Sequence, residues 1–303
     1  FGTWTFSQSN TVPSGKGFAY SWKWDCQVAD TSLASDHYGI AEYRIEAQDL
    51  QHLGYGTSSA KPITLSFWVK TNKTGTYVFS IYANDGARYV SKTYTVNQAN
   101  SWEYKTITIE GDTAGTINND NGDGFRLWWW LGSGTNFSGG TMQPGVWRSW
   151  GSDQNGATPG LSVNMADSTS NEWFITGVQL EVGRNATDFE HRSYGEELAL
   201  CQRYFFKLSN SRLIMGYKRH DGSANFPVNT PVSMRVAPTP SLSTSGTFSN
   251  FQSSFSTTQS SPNVYEWSDT GNRFIFQVQS TWSSTHTYVP AWESFTAEFN
   301  SEL

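Results

Sequence analysis

Aromatic side chains form the pattern in this sequence that could recognise a ligand. Three tryptophans, residues 128–130, are consecutive in the segment FRLWWWL, and Trp147 and Trp150 follow in a Gly-rich loop. Successive side chains of a strand point to opposite faces, so Trp129 faces away from its two neighbours. We therefore expect at least one of the three rings to lie outside the core. Trp129, Trp147 and Trp150 are the candidates for packing against the apolar face of a sugar.

A second group of aromatic residues lies near the C-terminus. Trp282, His286, Tyr288 and Trp292 surround a loop rich in Ser and Thr. Each ring could instead pack in the core of its domain or at a subunit interface. Several exposed aromatic patches together indicate a binding surface, so these four residues complete the candidate ligand-binding set.

Catalytic signatures are missing from the sequence, which contains no G-x-S-x-G, H-E-x-x-H, P-loop or C-x-x-C motif. Two suitably placed acids suffice for polysaccharide cleavage, and Asp188 with Glu190, or Asp120 with Asp123, offers such a pair. Acids in a connector or polar turn usually stay solvated or pair with arginines, so we expect a protein that is not an enzyme. No spacing of metal ligands links the five histidines, His37, His52, His191, His220 and His286.

A short polar segment resembles half of a calcium-binding loop. Asn119, Asn121 and Asp123 alternate and are followed by glycine, as oxygen ligands do at the start of such loops. The twelfth position is Trp130 instead of the required glutamate. The pattern favours an ordinary Asn/Asp/Gly turn, with a structural calcium ion as the alternative. We expect no other cofactor.

Composition limits the classes of partner. The 303 residues are 37% hydrophobic, 16% aromatic and only 15% charged, with a net charge of -6. An acidic chain lacks the basic surface that nucleic-acid binding requires. No apolar run approaches membrane-spanning length, so we expect no membrane insertion. Cys26 and Cys201 lie far apart, and two free thiols are favoured over a disulfide.

The strand pattern predicts an all-β protein with two domains. Many short alternating segments, frequent turns and almost no helix before Ser193 are typical of a β-sandwich, and a jelly roll suits this length. After residue 206 the chain is rich in Ser and Thr and punctuated by prolines, which predicts a smaller β-sandwich domain. We assign residues 1–188 to the jelly roll, 189–206 to a connector with a short amphipathic helix, and 207–303 to the C-terminal domain.

The connector helix carries an apolar stripe. Ser193 and Glu196 form the S-x-x-E pattern of a capping box. After it, Tyr194, Leu198, Cys201 and Phe205 recur at four, three and four residues. This stripe predicts either docking of the helix on its own domain or a short seam between subunits.

Several segments of residues 1–206 resemble one family. They are PSGKGFAYSWKWDC at 13–26, QDLQHLGYGTSSAKPITLSFWVK at 48–70, NMADSTSNEWFITGVQLEVG at 164–183 and ITGVQLEVGRNATDFEHRSYGEELALCQRYF at 175–205. These segments are similar to tail-fibre and receptor-binding proteins of tailed bacteriophages, of the marine and cyanophage type. The resemblance implies a carbohydrate-binding-module-like jelly roll in a homotrimeric virion fibre, alongside other tail proteins. It carries no catalytic or ligand-binding residues across.

These observations together predict a non-catalytic virion protein, made in the host cytoplasm, that acts in host adsorption. Its partner would be a polysaccharide or lipopolysaccharide of the host surface, and the C-terminal domain would be the distal receptor-binding tip. Three alternatives stay open. They are a structural head-fibre or tail-collar protein, a tailspike-type depolymerase, and a carbohydrate-binding module detached from a secreted hydrolase.

Overall fold

The structure is a computed structural model that describes residues 1–208, 214–215, 217–218, 223–242, 247–250, 253–256, 263–267, 273–279, 291–293 and 297–302. It divides into two compact units, Phe1–Glu190 and His191–Glu302. The division lies two residues beyond the boundary at 188 drawn from the sequence, and the connector helix is part of the second unit.

The first unit contains two five-stranded antiparallel sheets. The first sheet has the order β1-β2-β10-β4-β7, and the second sheet has the order β3-β8-β5-β6-β9. The strands are β1 Thr3–Ser9, β2 Ser21–Val28, β3 Tyr38–Glu46, β4 Ile63–Thr71, β5 Gly75–Ala83, β6 Arg88–Val96, β7 Glu103–Ile109, β8 Asp123–Ser133, β9 Arg148–Ser149 and β10 Glu172–Val182.

The strand pairing is that of a jelly roll. β5 pairs with β6, β4 with β7, β3 with β8, and β2 with β10, so the pairs are nested one inside the next. Such nesting arises when one long antiparallel hairpin is rolled up so that its pairs alternate between two sheets. β1 and β9 extend the sheets at their edges. The predicted all-β sandwich is confirmed.

Short helical turns occupy the connections of the first unit. The 3-10 helix Ala47–Leu53 follows β3, and its Ala47, Leu50 and Leu53 are buried. The long connection between β8 and β10 contains helix α1, Thr135–Ser138, and the 3-10 helix Gln154–Gly156. Both cysteines are free thiols, as predicted, with Cys26 buried and Cys201 exposed.

The core between the two sheets is built on aromatic packing. Trp129 of β8 lies 5.8 Å from the ring of Phe67 and 5.1 Å from that of Phe79, measured between ring centroids. Its side chain is only 2% exposed. The selection of Trp129 as a ligand-contacting ring is therefore wrong, because its face of β8 is covered by the first sheet.

The second unit is also built of β-strands, after the short helix α2, Tyr194–Gln202. Its described strands form three antiparallel sheets with the orders β11-β21-β15, β12-β20-β16-β17 and β13-β14-β19-β18. The strands are β11 Phe205–Leu208, β12 Ile214–Met215, β13 Tyr217–Lys218, β14 Ser223–Asn229, β15 Thr239–Leu242, β16 Thr247–Asn250, β17 Ser253–Ser256, β18 Asn263–Trp267, β19 Arg273–Gln279, β20 Ala291–Glu293 and β21 Ala297–Asn300. Among the described residues, no helix has the length and apolarity to cross a membrane.

Replacement of Trp129 by alanine tests the assignment of this ring to the core. We expect Trp129→Ala to lower the free energy of unfolding by about 3–5 kcal/mol, the usual cost of removing a large aromatic ring from a core. Chemical denaturation followed by circular dichroism measures the change. Tyr20→Ala removes an exposed ring and should stay within about 0.5 kcal/mol of the wild type. Equal effects of the two substitutions would contradict the core assignment.

Candidate functional site

The outer face of the second sheet, which points away from the first sheet, is the candidate site of the jelly roll. The inward position of Trp129 sends Trp128 and Trp130 to this outer face. The register places Trp128 opposite Glu42 of β3 on one side and Ser80 of β5 on the other. Strand β8, which lies between β3 and β5, therefore presents two tryptophans on the side that does not face the first sheet.

The connection between β8 and β10 covers part of this outer face. Its side chains Phe137, Met142, Trp150 and Leu161 pack against a buried group that includes Trp128 and Trp130. All three consecutive tryptophans are consequently buried. The predicted alternation of their faces is confirmed, but the expectation that one ring would lie outside the core is wrong. The sequence pattern could not reveal that a loop folds over the second face.

Four rings form an aromatic cluster, defined as Tyr82, Tyr89, Trp128 and Trp150, at the border of the covered area. Tyr82 and Trp128 are stacked, with centroids 5.1 Å apart and planes 6° apart. Trp150 stands steeply against both, with its centroid 5.2 Å from Trp128 and 5.6 Å from Tyr82. Tyr82 and Trp150 are half-buried, so each keeps solvent-accessible surface.

The aromatic surface continues to the edge strand β3. Tyr38 is 54% exposed, and its ring lies 5.3 Å from Phe137 and 6.3 Å from Trp130. A ring held in this way by neighbouring rings is already ordered before a ligand arrives. A ring ordered in advance loses little conformational entropy on contact with a ligand.

Charged side chains border the aromatic cluster. The Glu42 carboxylate accepts hydrogen bonds from Nε1 of Trp128 at 2.7 Å and from Nε of Arg44 at 2.6 Å. Arg126 donates to the Asp123 carboxylate at 2.5 Å, and its guanidinium lies 5.7 Å from the centroid of Tyr82. Apolar ring surface beside half-buried donors and acceptors is the chemistry that holds a saccharide, since sugars present both C–H faces and hydroxyl groups.

Of the other predicted ligand contacts, Trp150 belongs to the aromatic cluster and Trp147 does not. Trp147 is half-buried, donates from Nε1 to the carbonyl oxygen of Glu110 at 2.7 Å, and packs against Tyr55 and Phe125. Trp292 lies in β20, where its backbone pairs with β12 and β16. Three predicted residues lie outside the described residues, namely Trp282, His286 and Tyr288.

The predicted calcium loop has the hydrogen bonds of a turn. The Asp120 side chain accepts a hydrogen bond from the backbone N–H of Gly122 at 2.9 Å, a local arrangement typical of Asp and Asn in turns. Asp123 pairs with Arg126, Asn119 is exposed and Asn121 is half-buried. In the described part of the chain, no group of three or more His, Cys, Asp or Glu side chains is arranged to hold a metal. Calcium binding stays a prediction.

Helix α2 has the predicted capping box and an exposed apolar stripe. Ser193 accepts a hydrogen bond from the backbone N–H of Glu196, and the Glu196 carboxylate accepts one from the backbone N–H of Ser193. None of the helix residues is buried. Tyr194 is 82% exposed, and Leu198, Cys201 and Phe205 are exposed as well. The inclusion of Phe205 in a helical stripe is wrong, because α2 ends at Gln202 and Phe205 begins strand β11. The helical part of the stripe, formed by the other three residues, is exposed.

Comparisons with known proteins identify no family for this chain. No family model matches it, and no curated protein matches it. The enzymatically active domain of tailspike protein 4 from bacteriophage CBA120 is 13% identical, with a TM-score of 0.31 over 60% of this chain and 18% of that one. CBM4, a carbohydrate-binding module, is 14% identical, with a TM-score of 0.26 over 58% of this chain and 77% of that one. Both TM-scores are below 0.5, so neither likeness supports an inference about this chain.

Sequence reasoning overlooked most of the aromatic cluster and its charged border. Alternate residues of a strand lie on the same face, so Arg126, Trp128 and Trp130 of β8 share one face. The sequence alone could therefore have placed these three side chains together. No pattern in the sequence around Tyr82 indicates that it belongs to the cluster, because only the pairing of β5 with β8 brings it beside Trp128.

Removal of the Glu42 carboxylate tests the border of the site. We expect Glu42→Ala to lower the free energy of unfolding by about 1–3 kcal/mol, because the buried Nε1 of Trp128 loses its acceptor. Glu42→Gln retains an acceptor oxygen and should cost less. Denaturant titrations of both variants measure the difference. Identical losses in the two variants would mean that the Trp128 hydrogen bond contributes nothing.

Proposed function

We propose that this protein is a non-catalytic component of a phage virion fibre that binds a glycan of the host surface through its jelly roll. The observation that carries the proposal is the aromatic cluster, with half-buried Tyr82 and Trp150 beside Glu42, Arg44 and Arg126. Such a surface offers apolar stacking and hydrogen bonding together. The resemblance of residues 1–206 to phage fibre proteins supports the virion context and the role in adsorption.

The state of the acidic residues favours binding over hydrolysis. Glu42 and Asp123, the carboxylates that border the cluster, each accept a hydrogen bond from an arginine. Carboxylates held by arginine side chains in this way are oriented hydrogen-bond acceptors of a binding surface. The tailspike-type depolymerase is the second candidate, and release of reducing sugars from host polysaccharide would establish it in place of this proposal.

Substitution of Trp150 tests glycan binding. We expect the wild type to bind host surface polysaccharide or lipopolysaccharide, and Trp150→Ala to weaken binding roughly tenfold, a change of about 1.4 kcal/mol. Glycan arrays and biolayer interferometry with purified host glycans provide the measurement. Trp147→Ala is the matched control, since that ring packs away from the cluster, and it should bind as the wild type does.

Two results would change this proposal. Failure of the wild type to bind any host envelope fraction would favour a structural head-fibre or tail-collar protein. Equal loss of binding in Trp147→Ala and Trp150→Ala would remove the aromatic cluster as the site. The second unit is our proposed distal tip, and its Trp282, His286 and Tyr288 remain the candidate contacts there.

We also propose that the exposed stripe of α2 contacts two further copies of this chain in a homotrimer. Three exposed residues of α2, Tyr194, Leu198 and Cys201, recur at spacings of four and three, which match the seam of a helical bundle. Two turns of helix are too short to hold a trimer alone, so other surfaces must contribute. Three copies would multiply a weak glycan site by avidity.

Light scattering of the intact chain tests the trimer. We expect the mass of three chains for the wild type and a shift towards the monomer in Leu198→Asp, because a charge on the stripe would be buried at the seam. Leu200→Asp introduces the same charge on the other side of the exposed helix and should stay trimeric. A monomeric wild type, or dissociation by both variants alike, would contradict the proposed seam.

A further inference from the structure

We infer that the outer face of the first sheet is a second, separate site that binds an anionic saccharide. The jelly roll exposes this face on the side opposite to the aromatic cluster, because the two sheets cover each other with their inner faces. The inference deepens the proposed function by naming the charge of a ligand. It rests on the proposed function in one respect, namely that the ligand is a saccharide. The residues that would recognise this ligand are different ones.

Two aromatic rings lie side by side on this face, on β4 and the edge strand β7. Trp68 of β4 is directly opposite Tyr104 of β7 and Thr176 of β10. The Trp68 and Tyr104 rings are 5.3 Å apart between centroids, with planes inclined by 45°. Tyr104 is 44% exposed and Trp68 is half-buried. The pair therefore offers ring surface about the width of one sugar residue.

Two lysines lie over the aromatic rings of the same face. Nζ of Lys16 is 5.6 Å from the centroid of Trp68, and Nζ of Lys70 is 5.3 Å from the centroid of Phe174. Lys70 follows Trp68 by two residues on β4, which puts both side chains on one face about 7 Å apart along the strand. The register places Phe174 beside Lys70. The aromatic pair is thus bordered by two ammonium groups.

These two ammonium groups lack anionic partners. Neither Lys16 nor Lys70 has an ion pair or a hydrogen bond in the part of the chain that the structure describes. Lys23, on the same face, differs because it pairs with the carboxylate of Glu172 at 2.5 Å. The two unpaired cations, one over the half-buried ring of Trp68 and one over the buried ring of Phe174, provide charge complementarity for a carboxylate or sulfate group carried on a sugar.

The neighbouring polar groups suit a saccharide better than other anions. Thr106, two residues from Tyr104 on β7, is exposed on the same face and can hydrogen-bond a sugar hydroxyl. The net charge of -6 opposes long polyanions such as nucleic acid, whose binding requires many phosphate contacts. Two neighbouring cations on an aromatic surface therefore favour a ligand that carries a few isolated charges and has apolar C–H faces. An acidic oligosaccharide has both properties.

Isothermal titration of the intact chain with an alginate hexamer tests the inference. The controls are the carboxyl-reduced, uncharged form of the same hexamer, and polyphosphate of similar charge, which has no sugar face. We expect the wild type to bind the alginate hexamer about tenfold more tightly than its uncharged form, a difference of about 1.4 kcal/mol. The difference should shrink in high salt, which screens exposed charges. Equal binding of polyphosphate and the hexamer would show unspecific anion attraction and would overturn the site.

Surface variants locate the binding. Lys16→Ala with Lys70→Ala should weaken hexamer binding about tenfold, and Trp68→Ala should weaken the hexamer and its uncharged form alike. Lys61→Ala with Lys92→Ala removes the same charge from other positions and should have no effect. Unchanged hexamer binding after loss of Lys16 and Lys70 would overturn the inference.

Trp150→Ala separates this site from the proposed function. In one outcome, Trp150→Ala loses hexamer binding and the variant lacking Lys16 and Lys70 keeps it. This result would assign the acidic sugar to the aromatic cluster. It would overturn the inference and leave the proposed function intact. In the other outcome, hexamer binding depends on the two lysines and the protein binds no host glycan through Trp150. This result would support the inference and contradict the proposed function.

Discussion

The inward packing of Trp129 between Phe67 and Phe79 is the contact on which the surfaces of the second sheet depend. Because side chains of a strand alternate, the burial of this ring decides the orientation of every other residue of β8. A slip of one residue would bury Trp128 between the sheets and turn Trp129 outward. The register with β3 and β5 then brings Glu42 and Tyr82 beside Trp128.

The connection between β8 and β10 decides how much of that aromatic face reaches solvent. Phe137 packs against Trp130, while Trp150 closes one side of the cluster and leaves Tyr82 half-buried. Aromatic rings on a sheet surface are costly to leave fully exposed, so covering some of them stabilises the fold. The rings that remain at the border are held rigidly by their neighbours, which favours binding because little motion is left to lose.

The two outer faces of the jelly roll differ in how their charges are satisfied. On the second sheet, Arg44 and Arg126 are both paired with carboxylates next to the rings. On the first sheet, Lys16 and Lys70 approach rings without an acidic partner. A paired charge contributes directional hydrogen bonds, whereas an unpaired charge attracts an ion of opposite sign. The two outer faces of the sandwich therefore differ in the charge that they present to solvent.

The all-β class, many of the strands and the capping box of α2 could be predicted from the sequence, because period-two alternation and the S-x-x-E pattern are local properties. The sequence also determined that Trp129 and its neighbours face opposite ways. Which of these faces belongs to the core depends on the packing of the first sheet against β8, a contact between segments that are distant in sequence. Tyr82 and Glu42 join Trp128 through pairing between distant strands, and burial by a loop is a long-range event that no local pattern encodes.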